Sequence, residues 1–141
     1  MQIIRKIILT IILFIGTMAC EEDPFLGEVN CDECYTEKPT VGELIIKLTI
    51  NAENQEIPVV VYRNDLEDRI VEWIDTVSVT TLYVEVPVNQ YYSITAMYKA
   101  GDRTIYAVDG DRLRTRKITD QCDETCWIIT GGKINARLKY D

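Results

Sequence analysis

Residues 41–50 read VGELIIKLTI, in which Leu44, Ile46, Leu48 and Ile50 alternate with Ile45, Lys47 and Thr49. Successive side chains of an extended chain point to opposite faces, so four aliphatics share one side of a strand, and that side is a core face. The habit repeats downstream. Residues 57–63 form a second strand, whose Val59-Val60-Val61 run suits burial on both faces and a central place in a sheet. Residues 70–74 form a third. Residues 76–88 supply one bent strand or two, with Leu82, Val84, Val86 and Val88 inward, Tyr83 and Glu85 outward, and Pro87 confining its end to an edge or a terminus. Residues 91–99 turn at Ala100-Gly101-Asp102 into residues 104–108 as a hairpin. Asp109-Gly110-Asp111 reads as another turn before residues 113–118, and Gly131-Gly132 as the two-residue loop of a hairpin joining 127–130 to 134–140. No window of about 11 residues keeps a helical period. About seven to nine short strands cannot bury their apolar faces in one flat sheet, so the expected fold is all-β, a two-sheet β-sandwich with layers about 10 Å apart.

The chain has 141 residues, 15 basic and 23 acidic side chains, a formal charge of −8 and 47% apolar residues, which suits one modest domain. It contains no histidine, and its serines are Ser78 and Ser93. Imidazole bases, histidine-held metals and Ser-His or Cys-His dyads are therefore out. Acids are abundant, yet nothing singles out one pair with the spacing of a glycosidase site. No catalytic residue and no cofactor is assigned, and the expectation is a protein that is not an enzyme. Acidic balance also argues against a nucleic-acid partner, because phosphate neutralisation needs a dominant basic face.

Residues 1–20 read MQIIRKIILTIILFIGTMAC: a positive start at Arg5 and Lys6, an apolar run from Ile7 to Ile15, then Thr17-Met18-Ala19-Cys20. This is the build of a secretory signal, and the apolar run is too short to span about 30 Å of hydrocarbon comfortably. Thr17-Met18-Ala19-Cys20 resembles the bacterial lipobox, although Thr17 stands where leucine is usual and Met18 where a smaller residue is. The resemblance implies cleavage before Cys20 and a diacylglyceryl, palmitate-type modification of its sulfur, which two or three acyl chains would make a stable membrane anchor. Ordinary cleavage near Ala19, or an uncleaved anchor, is the alternative. Glu21-Glu22-Asp23 directly after Cys20 resembles the acidic signal that sends lipoproteins of Bacteroidota-type bacteria to the outer face of the outer membrane. A solvated linker on a periplasm-facing anchor would look the same. The expected organisation is a signal peptide at 1–19, an acidic spacer with lipidated Cys20 at 20–40, and a sandwich domain at 41–141.

Cys31-Asp32-Glu33-Cys34 and Cys122-Asp123-Glu124-Thr125-Cys126 are two acidic cysteine pairs at nearly equal spacing. In an exported domain an even set of four cysteines most often forms bridges, in one of three connectivities. A bridge between the clusters closes a loop of roughly 90 residues, for which chain entropy gives somewhat above 4 kcal/mol, whereas a bridge within a cluster constrains far less. Leverage favours joining Cys31 and Cys34 to Cys122 and Cys126, with local pairing the rival. A four-cysteine zinc site fits the paired spacing, but oxidising surroundings and the adjacent carboxylates disfavour the thiolates that zinc, or a redox-active pair, would need.

Arg112, Arg114 and Arg116 alternate, so a strand would turn them out together as a basic stripe for an anionic glycan or phosphate; a solvated or acid-paired face is the plainer reading. Tyr83, Tyr91, Tyr62 and Trp73 could form an aromatic platform for sugars or simply pair across strands. The carboxylates of Asp109-Gly110-Asp111 invite calcium but lack a full ligand array. Residues 86–96, VPVNQYYSITA, resemble the strand, turn and Tyr-containing strand of transthyretin-like and carboxypeptidase-regulatory-like sandwiches. Residues 31–141 also resemble small Bacteroidota lipoproteins with Cys-rich ends, which implies an Ig-like or transthyretin-like sandwich and brings no catalytic residues. The expected role is a non-catalytic, lipid-anchored binding or accessory module at the cell envelope. A structural subunit that pairs strands with an envelope protein comes second, and a zinc-binding or redox four-cysteine protein third.

Overall fold

The computed structural model describes residues 29–139, so the signal segment, Cys20 and Tyr140 lie outside the described residues. The alternating segments become eight strands: β1 (Val41–Lys47), β2 (Ile57–Arg63), β3 (Ile70–Val77), β4 (Thr81–Pro87), β5 (Gln90–Ala100), β6 (Arg103–Ile118), β7 (Cys126–Thr130) and β8 (Lys133–Asn135). They form a three-stranded sheet, β4-β1-β8, and a five-stranded sheet, β3-β2-β5-β6-β7. The chain is a two-sheet β-sandwich.

The inward rows match the sequence pattern closely. Leu44, Ile46 and Leu48 of the β1 segment and Val84, Val86 and Val88 of the β4 segment meet Val59, Val61, Ile94 and Ala96 across the core. Pro87 closes β4, an edge strand, where its missing N–H costs no ladder bond. Val60 is only half-buried, so β2 is internal to its sheet but covered on one face. Gly42 fits because a Cβ there would stand only 3.0 Å from Ile129 and 3.2 Å from Leu113 and Val88.

Two of the expected turns are something else. Asp109-Gly110-Asp111 lies inside β6, a continuous strand of 16 residues paired with β5 from Gln90–Leu113 to Ala100–Arg103. Gly110 sits there because the Tyr91 ring covers it: a side chain would collide with the Tyr91 hydroxyl and stand 2.8 Å from its Cζ. Gly131-Gly132 is not a hairpin loop either. β7 pairs with β6, whereas β8 pairs parallel with β1, so the two glycines carry the chain from one sheet to the other. Both have positive φ, 79° and 73°, and any Cβ on Gly131 would strike the Arg112 carbonyl, so only glycine fits the crossing.

Two buried tyrosines of β5 stitch the layers together. Tyr92 donates its hydroxyl to the Pro87 carbonyl at 2.6 Å; Tyr98 donates to the Ala136 carbonyl at 2.7 Å and accepts the Thr49 N–H at 3.1 Å. Burial, reinforced by nearby Glu72 and opposed by Arg63, pushes the Tyr92 phenol up to about 12, so it remains a protonated donor at ordinary pH. Buried Asn54 acts as a strand surrogate, accepting the Lys99 N–H at 2.6 Å and donating to the Lys99 carbonyl at 3.0 Å. Tyr98→Phe keeps the ring but strands a buried N–H and a carbonyl, so it lowers unfolding free energy by about 1–3 kcal/mol. Urea titration checks this, and an unchanged midpoint would contradict the stitching role.

Candidate functional site: a stapled edge and a basic sheet face

The cysteine clusters join each other. Cys31 is bonded to Cys122 and Cys34 to Cys126, across sequence separations of 91 and 92 residues, with Cα–Cα distances of 5.7 and 5.6 Å. Cys34, Cys122 and Cys126 are gathered within 4.8 Å, but as disulfide sulfurs they offer no thiolate to a metal. Just past the staple, Tyr35 bridges Trp127 on β7 by reciprocal backbone bonds of 2.8 Å. Lys38 then stands 5.3 Å over the Trp127 ring, a cation–π contact. Residues 31–35 thus belong to the fold rather than to a free spacer. They cover part of the β7 edge.

The neighbouring β8 edge is closed by side chains. Asp111 accepts the Lys133 N–H at 3.0 Å, and Asp109 accepts the Asn135 N–H at 2.7 Å. These carboxylates occupy the donors that a further strand would use, which replaces both the turn and the calcium readings of Asp109-Gly110-Asp111. On the opposite side of the sandwich the β3 and β4 edges have no strand beside them among the described residues. Ile70, Val71 and Ile74 of β3 are exposed there.

The arginine stripe is real. Arg112, Arg114 and Arg116 are all exposed on the outer face of β6, and their register partners are Tyr91, Thr130 and Ile128. None of these partners is acidic, so of the two plainer readings, a solvated or an acid-paired face, the described residues show the solvated one. Outward rows extend the face from β6 across β5 and β2 to β3: Val108, Thr95, Val60 and Ile74 form one, Gly110, Ser93, Tyr62 and Val71 another. Met97 and Tyr106 form a further pair, and Lys99 with Thr104 the last. No Asp or Glu occupies any of these outward positions. The one ion pair seen among the described residues, Arg63–Glu72 at 2.7 Å, lies across the β2–β3 bulge instead.

Other sequence candidates disperse. Tyr91 and Tyr62 share the basic face, Tyr83 is exposed on the other sheet, and Trp73 turns inward opposite Val61 to pack against the core. Tyr106, 63% exposed beside the stripe, was not singled out in the sequence because its partner row is visible only once β6 runs unbroken. A recess of about 1010 Å³ opens beneath residues 35–40, with Glu37, Glu43 and Glu85 on its walls, but no carboxylate is among the buried side chains described. No protein-family profile matches the chain, and comparison with curated proteins and with solved structures returns no match.

The two bridges lie side by side, so each closes a long loop only when the other is missing. Once one has formed, its companion constrains little more than the two short cysteine segments. Removing Cys31–Cys122 or Cys34–Cys126 alone by Cys→Ala pairs is therefore mild. Removing both costs more than the sum of the two, on the order of 4 kcal/mol. Urea melts of the two double variants and the quadruple variant measure this; additive losses would contradict the shared-loop geometry.

Proposed function

We propose that the protein is a non-catalytic, lipid-anchored envelope lipoprotein whose sandwich serves as a binding or accessory module. The pair of disulfides carries this reading. Such bridges persist in oxidising surroundings, and the run at residues 1–19 is the kind of signal that would deliver the chain there. Thr17-Met18-Ala19-Cys20 would then supply the acyl anchor, and the acids after it favour display on the outer membrane surface over a periplasm-facing anchor. No helix among the described residues is long and apolar enough to cross a membrane.

A second reading draws on the uneven edges. With the β7 and β8 side closed and the β3 and β4 side open, a partner strand could add to β3, making the protein a subunit of an envelope assembly.

Growing cells on an alkynyl fatty acid tests the anchor. Label should appear on the chain and fractionate with membranes, and Cys20→Ala should lose the label and move to the soluble fraction. Unlabelled wild type, or a Cys20→Ala chain that still pellets with membranes, refutes it.

A further inference from the structure

We infer that the outer face of the five-stranded sheet binds an acidic polysaccharide, an extended sugar chain bearing carboxylates, laid along β6 over Arg112, Arg114 and Arg116. This deepens the binding-module reading by naming its ligand class. Three observations carry it. The first is charge segregation: in a chain of formal charge −8 with 23 acids, the outward rows of this sheet hold no Asp or Glu, while β6 alone turns out three guanidinium groups. Acidic side chains on β6 itself, Asp109 and Asp111, point instead to the β8 backbone.

The second observation is spacing. Alternate residues on a strand recur about every 6.6 Å, so the three arginines form a straight file about 13 Å long. Each guanidinium is a planar fork matched to a carboxylate, and none of the three forms an ion pair with an acid among the described residues. A straight file of free forks suits a linear polyanion better than a single small anion.

The third is the chemistry around the file. Tyr91 is the register partner of Arg112, and Tyr106 stands exposed further along the same face of β6. Thr95, Thr104 and Thr130 bring hydroxyls to the same side. Rings to stack on and hydroxyls to hydrogen-bond are what a sugar chain uses. A membrane-binding face would want Trp, Phe or Leu tips to enter the acyl boundary, and no outward position of this sheet carries one.

The test uses the full chain purified in detergent, with polygalacturonate as probe, its methyl ester as the uncharged match, and vesicles of phosphatidylethanolamine and phosphatidylglycerol as the lipid rival. The wild type should bind polygalacturonate and not the ester, with affinity falling as salt rises. Arg112→Gln/Arg114→Gln/Arg116→Gln should weaken binding about tenfold or more. Lys38→Gln/Lys47→Gln/Lys133→Gln removes as much charge elsewhere and should leave binding unchanged. Tyr106→Ala should weaken it with no change in melting temperature, because that ring is exposed. Wild type that ignores polygalacturonate, equal binding by both triple variants, or arginine-dependent capture by the vesicles alone each overturns the assignment. Anchoring is not read by this assay: a chain lacking the lipid would bind equally, so loss of the anchor and loss of the ligand are separate outcomes.

Discussion

Two sulfur–sulfur bonds decide which side of this sandwich is shut. By joining Cys31 and Cys34 to Cys122 and Cys126, they hold a segment from the beginning of the fold against the edge of its next-to-last strand. Tyr35 can then act as a one-residue strand on β7, and Lys38 can lie over Trp127. Without covalent closure, one backbone bridge and one cation–π contact would have to offset the ordering of the segment ahead of β1, at about 1–2 kcal/mol per residue, and contacts worth about 1 kcal/mol each fall short. Beside it the β8 edge is shut by Asp109 and Asp111. An edge whose donors are already taken cannot recruit a neighbour, so the sandwich has one sealed flank and one flank, β3 and β4, whose strand edges no other described residue covers.

Much of the architecture was legible because burial on one face imposes a period of two. That period is unmistakable in Leu44-Ile46-Leu48 and in Val84-Val86-Val88, and both rows are buried. The inter-cluster disulfides were legible for a different reason, loop entropy, which ranks long closures above local ones whatever the fold. Punctuation residues misled. Asp-Gly-Asp and Gly-Gly have the local chemistry of turns, but a glycine in a strand also serves where another group comes close, here the Tyr91 ring. Gly131-Gly132 does make a sharp local bend; what the bend connects is settled by pairing with β1, more than eighty positions upstream. Tyr92 and Tyr98 gave no sign of their role, because nothing in their neighbourhood names the Pro87, Thr49 and Ala136 groups that they reach across the core.

The candidate face shows the same division. Alternation alone predicted that the three arginines would share a side, and they do. Their freedom from acids could not be read locally, because it depends on which strands flank β6 and in what register. The consequence is an electrostatic one: an acidic molecule presents one sheet face whose outward strand positions carry three arginines and no acid, with Glu53 and Glu56 met only at its far end, beside Lys99. Tyr83, equally aromatic and equally exposed, is excluded from that surface because β4 belongs to the other sheet. Composition says how many charges exist, and topology says which of them a ligand meets together.

The central claim, that one flank is sealed by sulfur and carboxylates while the other is open, is tested most directly by residue-resolved hydrogen exchange on the oxidised chain. The amides of Tyr35, Trp127, Lys133 and Asn135 should be protected, and reduction should release Tyr35 and Trp127 while Lys133 and Asn135 stay slow. The account is contradicted if these four exchange as fast as the unpaired amides of β3, or if reduction leaves Tyr35 and Trp127 unchanged.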